Sequence, residues 1–333
     1  MNFDFTDDQR AIKETARDLL ANRFKLERLR ELAESKTYAD DAWSEVSELG
    51  WPGIFIDEEH GGQGLGVLEL VILLEELGYV LAPIPFLSNA AAGLILQDAG
   101  ASERLEGIAS GEKRGTVGVV KDGRAALVPD ANESDVIVLL DGTEATLVER
   151  ADAQVEPIDA IDPTRRYARV TANGGESLGD VSRGRDLIAL AVAAELVGIS
   201  QRVMEMAIEY AKDRKQFDRP IGAYQAVSHA CAGMLKQVEG ARSLVYYAGW
   251  AADAAPDEFS LAASMAKAYA SDAGWHVSAS ALQVHGGIGF TWEHDLHWFL
   301  KRAKTDGVLY GSARDHRERV AELAGLGAAA AAV

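Results

Sequence analysis

The feature that most constrains the fold is a helical apolar period through the second half of the chain. It recurs in four long segments, at about 183–213, 222–253, 257–286 and 294–324. In the second segment, spacings of four and three alternate along one stripe, formed by Val227, Cys231, Met234, Val238, Ala241 and Val245. A helix with such a stripe buries it against other helices. The pattern therefore predicts a four-helix bundle over residues 183–333, with GLGAAAAAV as a frayed tail.

The middle of the chain, residues 115–182, has a different pattern. Short runs rich in β-branched residues are separated by Gly, Asp, Asn and Pro, and they read TVGVV, RAALV, DVIVLL and ATLVE. Such runs predict a small antiparallel sheet or a partial barrel. So short a β domain buries little surface by itself, and we expect it to pack against its neighbours.

Residues 1–114 are predicted to form a helical domain. Thr6 and Gln9 have the spacing of a capping box at the start of the first helix. A later helix carries several leucines and is predicted to end at Gly78. The fold class predicted from the sequence is thus mostly α with a small central β domain.

The charge and cysteine content exclude several classes of function. The chain has 33 basic and 52 acidic residues, a net charge of −19, which argues against nucleic acid and anionic membrane partners. The single cysteine, Cys231, rules out an intrachain disulfide and a Cys-rich metal site. The longest apolar stretch, 187–199, contains Glu195 and is too short to span a bilayer. With no signal-peptide pattern at the start, we expect a cytoplasmic protein.

Glu293, His294 and His297 are the only suggestion of a metal site. One such cluster at a helix entrance is more typical of a solvated, charged face. We therefore predict no metal.

The segment DRKQFDRPIGAYQ, residues 213–225, is the first candidate site. It places Arg214, Gln216 and Phe217 at a helix end, and Gln225 at the start of the next helix. A cation, two amides and an aromatic ring suit an anionic cofactor that carries a flat ring. An ordinary charged corner between two helices would have the same composition, and the residues alone favour that interpretation.

The segment QVHGGIGFTWE, residues 283–293, is the second candidate. Three glycines follow a long helix, so either another group approaches this backbone closely or the chain turns sharply. An ordinary helix end followed by a loop explains the glycines equally well.

Together, and in this order on a four-helix bundle, the two segments resemble those of the acyl-CoA dehydrogenase family. FTDDQRAIKETARDLL and LGWPGIFIDEEHGGQGLGVLELVILLEELGYV resemble the family's amino-terminal helical domain, and the helix–sheet–bundle order matches its architecture. The family oxidises acyl-CoA thioesters to 2,3-enoyl-CoA. A carboxylate removes the α-proton while FAD accepts the β-hydrogen as hydride.

The resemblance implies which residues contact FAD. Arg214, Gln216 and Phe217 would contact the FAD of a neighbouring subunit, with Gln225 nearby. Ser312 would hydrogen-bond FAD as the family's threonine does. The pyrophosphate and adenosine side would lie along the backbone of Gln283, Val284, His285, Gly286 and Gly287.

The chain also departs from the family. In many relatives the base is the Glu of a Tyr-Glu-Gly-Thr stretch, and here Tyr310 takes its place; a phenol with a pKa near 10 is a poor base at neutral pH. Glu239 is the other candidate carboxylate, but it lies about 200° around its helix from Ala241, which is on the apolar stripe. We therefore assign no catalytic residue. The flavin-gripping loop and the tryptophan of the family's β domain have no counterpart within 115–182.

These departures suggest a non-catalytic subunit of a heteromeric enzyme. The chain resembles the short subunit of actinobacterial steroid-CoA dehydrogenases, in which two dissimilar subunits form an α2β2 assembly. Its partner would be a second acyl-CoA dehydrogenase-like subunit, its substrate an acyl-CoA, and its electron acceptor is not specified. Two alternatives remain open: a self-sufficient homo-oligomeric dehydrogenase with an unplaced base, and a non-redox scaffold that binds acyl-CoA or a partner.

Overall fold

The amino-terminal part of the protein is helical. The computed structural model describes residues 4–326, so residues 327–333 of the predicted tail lie outside it. The predicted capping box is confirmed, since the Thr6 hydroxyl accepts from the Gln9 amide and the Gln9 side chain accepts from the Thr6 amide. The helices are α1 (Asp7–Arg23), α2 (Leu26–Ser35), α3 (Asp40–Glu48), α4 (Val67–Val80), α5 (Phe86–Asp98) and α6 (Leu105–Ser110).

A seven-stranded sheet follows. Its strands are β1 (Gly115–Lys121), β2 (Arg124–Pro129), β3 (Val136–Asp141), β4 (Glu144–Glu149), β5 (Ala153–Ile158), β6 (Tyr167–Ala172) and β7 (Glu176–Asp180), in the spatial order β5-β6-β2-β1-β3-β4-β7.

The prediction of an antiparallel sheet or partial barrel is wrong in one respect. β1 and β3 pair in parallel at the centre of an open, mixed sheet. The sequence pattern also missed β5, β6 and β7. β5 is an exposed edge strand with Pro157, and β7 bends at Gly179, which has positive φ. Both features weaken the usual strand signal.

The carboxyl-terminal bundle contains α7 (Ser182–Asp213), a hairpin of β8 (Lys215–Gln216) and β9 (Arg219–Pro220), then α8 (Gln225–Ala254), α9 (Pro256–His285), α10 (Leu296–Asp306) and α11 (Ala313–Leu323). The predicted fourth segment is therefore two helices. The chain breaks between them because Tyr310 and Gly311 have φ values of 56° and 108°. The predicted fold class, mostly helical with a central β domain, is confirmed.

The apolar stripe of α8 faces the core as predicted. Met234, Val238, Ala241 and Val245 are buried, and Val227 and Cys231 are half-buried near the amino end. In the described part of the chain, α7 is the one helix long and apolar enough to cross a membrane. In its most apolar window, 89% of the residues are buried, so α7 is a core helix.

The crossing of α4 and α7 corrects the prediction for Gly78. The helix continues to Val80, and Leu81 ends it in the left-handed conformation. A Cβ on Gly78 would lie 2.3 Å from the carbonyl oxygen of Glu195, and a Cβ on Gly198 would lie 1.9 Å from that of Glu75. Gly78 therefore permits backbone-to-backbone contact between the helices and does not cap one.

Candidate functional site

The hairpin after α7 holds the first predicted segment on the surface. Its two-residue turn, Phe217 and Asp218, has φ values of 52° and 63°. Non-glycine residues in this region cost about 1–3 kcal/mol each, and such strain concentrates at functional sites. The turn leaves the Phe217 side chain 88% exposed. A large apolar ring is thus held in water by a strained backbone.

The polar residues of this segment are also available to a ligand. Arg214 and Gln216 are exposed, and Arg214 has no ion pair among residues 4–326. Gln225 is the exposed first residue of α8, as predicted. The unpaired guanidinium of Arg214 can bind an anion with directional hydrogen bonds.

The second segment ends α9. Gln283 and Gly287 are exposed, whereas the side chains of Val284 and His285 are buried. Gly286 has a φ of 63°, so the turn itself explains this glycine. Gly287 does not need positive φ, and a Cβ there would meet nothing within 4 Å. Neither conformation nor internal packing explains Gly287, which fits an external group approaching its backbone.

An aromatic stack brings the two segments together. The ring of Tyr210, one turn before Arg214, stacks on His285 at 4.6 Å between centroids. The Nδ1 atom of His285 lies 2.8 Å from the Ala281 carbonyl oxygen. His285 therefore positions the two segments and is not itself exposed to a ligand. The donor surface is defined here by its exposed members: Arg214, Gln216, Phe217, Gln283 and Gly287.

The crevice between the sheet and the bundle, unlike the donor surface, is spanned by an internal hydrogen bond. Tyr310 lies at the position matched to the family's base, and its hydroxyl donates to the Val117 carbonyl oxygen at 3.2 Å. Burial raises the pKa of Tyr310 above its usual value. The remaining cavity is about 260 Å³, and its lining includes Tyr310 and His316 together with the charged side chains of Arg185, Asp315 and Arg319. Cofactor pockets are usually about 300–1,000 Å³, so the crevice is small for a flavin.

A buried ionic cluster fills the space next to this crevice. Arg302 on α10 donates to Asp162 at 2.5 Å and to Glu195 at 2.7 Å. Arg165 donates to both oxygens of Glu195 at 2.8 Å and to Asp306 at 3.0 Å. All five side chains are at most 4% exposed. The ionic cluster thus links the β5–β6 loop to α7 and α10.

The charges within the ionic cluster shift its pKa values in opposite directions. Burial opposes ionisation of Glu195, but Arg165 and Arg302 outweigh it and lower the pKa of this carboxyl. Burial and the neighbouring Glu195 raise the pKa of Asp306 to about 8. Asp162, Glu195 and Asp306 are thus paired with Arg165 and Arg302 in the interior, and Asp315, which lines the cavity beside Tyr310, accepts hydrogen bonds from the amide and hydroxyl of Ser312.

The turn between α10 and α11 is held from inside by Lys267. Its buried ammonium donates at 3.0 Å to the carbonyl oxygens of Asp306 and Gly311 and to the Ser271 hydroxyl. Burial lowers the pKa of Lys267 to about 7. Ser312 follows this turn, and its hydroxyl caps α11 by accepting from the Asp315 backbone amide while it donates to the Asp315 carboxylate. The predicted FAD contact of Ser312 stays a prediction, although its hydroxyl already has partners.

The other residues considered for chemistry have structural partners. Glu239 is exposed and forms an ion pair with Arg242, as expected for a helix-surface residue. The interpretation of Glu293, His294 and His297 as a solvated face is wrong for His297, which is buried, whereas Glu293 is exposed. Burial lowers the pKa of His297 to about 4, and its ring packs 4.0 Å from that of Trp298. Within residues 4–326, no group of three or more His, Cys, Asp or Glu could hold a metal ion.

Comparison with known proteins identifies the family. Residues 187–324 match the model for the acyl-CoA dehydrogenase C-terminal domain, and residues 6–112 match the N-terminal domain. The chain belongs to the acyl-CoA dehydrogenase family. Its relatives in this family include acyl-CoA dehydrogenase IpdE2 of Mycolicibacterium smegmatis, 34% identical over 317 residues that cover 95% of this chain and 98% of IpdE2.

Solved acyl-CoA dehydrogenase structures have the same fold. A variant of the Tcur3481–Tcur3483 steroid ACAD superposes with a TM-score of 0.88 at 25% identity, covering 97% of this chain and 99% of that one. A chain of the ChsE4–ChsE5 complex from Mycobacterium tuberculosis gives a TM-score of 0.88 at 24% identity, covering 98% and 99%. The family acts as an oxidoreductase on acyl-CoA thioesters, and its cofactor is FAD.

The two parts of the candidate site in this chain differ in how well they fit FAD. The donor surface fits the anionic cofactor from outside, because an unpaired Arg214 and the open backbone at Gly287 face solvent. The crevice does not fit the flavin ring, because Tyr310 is bonded across it. Local motifs in the sequence predicted the donor surface. The only sign of the ionic cluster was a lone Glu195 in an apolar stretch.

The pH dependence of stability is expected to change in Asp130→Asn. Asp130 accepts from Tyr38 and Ser88, and burial, opposed by Arg165 and Arg302, raises its pKa to about 7. A carboxyl group whose pKa is higher in the folded than in the unfolded state contributes its full stabilisation below the unfolded pKa. That contribution is lost as the pH rises through the folded pKa, which is about 7 for Asp130. The free energy of unfolding, measured with urea at pH 5 and at pH 7.5, should fall less between these two pH values in Asp130→Asn than in wild type.

The exposed Glu318→Gln serves as the control for this comparison and should keep the wild-type difference between pH 5 and 7.5. An equal pH difference in Asp130→Asn and wild type would contradict a shifted Asp130.

Proposed function

We propose that this chain is the non-catalytic subunit of a heteromeric acyl-CoA dehydrogenase. It completes the FAD site of a second acyl-CoA dehydrogenase-like subunit, in an α2β2 assembly, and the partner supplies the catalytic base. The reaction is the FAD-dependent conversion of an acyl-CoA to the 2,3-enoyl-CoA, in the cytoplasm.

The observation that carries this proposal is the state of the crevice. A dehydrogenase of this family needs a carboxylate within reach of the substrate α-carbon. At the matching position this chain has Tyr310, bonded to Val117 with a raised pKa. The nearby carboxylates of Asp162, Glu195 and Asp306 are committed to Arg165 and Arg302, so none of them is free to act as the base.

The donor surface supports the other half of the proposal. Arg214 offers directional donors to a phosphate oxygen, and the amides of Gln216 and Gln283 can bond the polar edge of a nucleotide. Phe217 can cover an aromatic ring. When FAD is bound it supplies the hydride acceptor. The residues of this chain bind it, orient it and exclude water from one side.

The comparisons support a partner and a class of substrate. The Tcur3481–Tcur3483 steroid ACAD and the ChsE4–ChsE5 complex are each named after two polypeptides, and the first is called a steroid ACAD. By analogy we propose a steroid side-chain CoA thioester as substrate. Fold likeness alone does not fix a substrate, so this point rests on analogy.

Co-expression tests the proposal. The chain purified alone should be colourless and inactive, and it should gain flavin absorbance and dehydrogenase activity only when co-expressed with a neighbouring acyl-CoA dehydrogenase-like gene product. A yellow, active homo-oligomer would overturn it in favour of a self-sufficient enzyme.

Arg214→Ala should weaken FAD binding by the co-expressed complex. A hydrogen bond to a charged group contributes about 1.5–3 kcal/mol, so the FAD dissociation constant should rise by roughly ten- to a hundredfold. FAD content after dialysis and flavin fluorescence measure it. Arg314→Ala, whose side chain is 82% exposed on α11, is the matched control and should bind FAD as wild type does. Unchanged FAD occupancy and turnover in Arg214→Ala would favour a non-redox scaffold.

A further inference from the structure

The cavity beside Tyr310 has hydrogen-bonding groups in its walls that residues 4–326 leave unsatisfied. Strands β1 and β3 line it on one side, and α7, α11 and the turn before α11 line it on the other. Its volume of about 260 Å³ lies below the roughly 300–1,000 Å³ of pockets for drug-sized ligands. Val119 and Arg185 in its lining are exposed, so the cavity is open to solvent. It shares no residue with the donor surface and suits a separate ligand of few heavy atoms.

Two guanidinium groups supply the free donors of the cavity. Arg185, in the first turn of α7, has no side-chain hydrogen bond and no ion pair within the described part of the chain. Arg319 on α11 uses two N–H groups on the carboxylate oxygens of Asp186, and a guanidinium has five. Burial and the charge of Arg319 lower the pKa of Arg185, so the two cations lie close enough to repel each other. An anion held by both relieves that repulsion.

His316 supplies a buried acceptor to the same cavity. Its Nε2 atom lies 3.1 Å from the carbonyl oxygen of Tyr310. A carbonyl only accepts, so Nε2 carries the proton. Burial and the nearby Lys267 lower the pKa of His316 to about 4, so the ring is neutral at pH 7 and its Nδ1 atom is an acceptor. Nδ1 is shielded from water and has no hydrogen-bond partner among residues 4–326.

The unsatisfied groups define the chemistry of a ligand. It must accept hydrogen bonds from Arg185 and Arg319, and it must donate one to the Nδ1 atom of His316. The carboxylate of Asp315, also in the lining, disfavours an anion that has no proton to donate. Hydrogen phosphate meets both requirements, because it combines anionic oxygens with one P–O–H group at neutral pH. Sulfate has the same shape but no proton, and a phosphate monoester loses its last proton near pH 6.

We propose that the cavity lined by Arg185, His316 and Arg319 is a binding site for inorganic phosphate. The guanidinium groups bind the anionic oxygens with directional, charge-assisted hydrogen bonds. The P–O–H group donates to Nδ1 of His316 and so satisfies an acceptor that is costly to leave buried without a donor. The anion thereby joins the start of α7 to α11.

Calorimetric titration of the full chain at pH 8 tests the site. Sodium phosphate and sodium sulfate are compared at constant ionic strength, since both anions are then mainly dianions and only phosphate has a hydroxyl group. Phosphate should bind about tenfold more tightly than sulfate, because sulfate leaves the His316 acceptor without a donor. Phosphate should also raise the melting temperature more than sulfate does. Equal affinities, or no binding of phosphate, would overturn the site.

Two variants separate the roles of the cation and the acceptor. Arg185→Gln should weaken phosphate binding by at least about tenfold, because it removes a charged donor. Arg124→Gln removes the same charge from an exposed position on β2 outside the lining, and it should keep the wild-type affinity. His316→Gln retains an amide donor for the Tyr310 carbonyl but lacks the Nδ1 acceptor, so it should bind phosphate and sulfate equally.

Melting in phosphate-free buffer shows whether each variant is folded, and Arg185→Gln should melt close to wild type because Arg185 is exposed. Wild-type phosphate affinity in folded Arg185→Gln overturns the proposal. An equal loss in Arg124→Gln assigns the binding to overall charge and overturns it too. Preference for phosphate over sulfate that persists in His316→Gln shows that Nδ1 is not the acceptor, and that also contradicts the site described here.

Discussion

Arg302→Met is expected to lower the free energy of unfolding by about 3–5 kcal/mol, the cost of breaking a buried ion pair by removing one partner. Arg302 is fully buried and donates to Asp162 and Glu195. Methionine fills a similar volume but leaves these carboxylates with only part of their compensation. Burying charge without a partner is one of the costliest changes a core can undergo.

Urea unfolding of the isolated chain measures this loss. Arg314→Met is the matched control, because Arg314 forms an exposed i,i+4 pair with Glu318 and should change stability by less than about 1 kcal/mol. Equal stabilities of the two variants would show that the ionic cluster is not the buried, charge-balanced unit described above.

Met234→Asp is expected to destabilise the chain by several kcal/mol, roughly 3 or more, because it buries an unpaired charge in the bundle. Met234 is 2% exposed, whereas its neighbour Leu235 is 48% exposed. Leu235→Asp therefore makes the same charge change one position away, on the solvent side of α8. Its stability should stay close to that of wild type.

Thermal melting followed by far-UV circular dichroism distinguishes these variants. Met234→Asp should melt well below Leu235→Asp or fail to fold, and Leu235→Asp reports the effect of the charge alone. Similar melting temperatures would mean that the stripe through Met234 is not the seam of the bundle.

The sequence predicted those parts of the fold that local periodicity encodes. The stripe from Met234 to Val245 and the capping box at Thr6 depend on neighbours three or four residues away, and both are found. The sheet was harder, because the parallel pairing of β1 with β3 joins strands that are not consecutive. The prediction that Gly78 ends its helix was wrong for a similar reason, because a glycine that ends a helix and a glycine at a helix crossing look the same in sequence.

The candidate site, like the fold, could be predicted from the sequence only where it depends on short segments. The donor surface comes from two short segments that the sequence singled out, and a stack between Tyr210 and His285 brings them together. The ionic cluster was not predicted, because Asp162 and Arg302 are far apart in sequence and only the folded chain makes them neighbours. The sequence shows Tyr310 at the position matched to the family's base, but it could not show the hydrogen bond from Tyr310 to Val117.

The contact between α4 and α7 restricts how the protein can move. Gly78 and Gly198 place each helix against the backbone of the other. Residues three or four positions away share the helix face of Gly78, so a slide of about one turn would drive the side chain of Leu74 or Glu75 into main-chain atoms, and such a shear between these helices is blocked. The amino-terminal part and the bundle should therefore behave as one rigid body, and a ligand that enters between sheet and bundle cannot gain room from sliding of this helix pair.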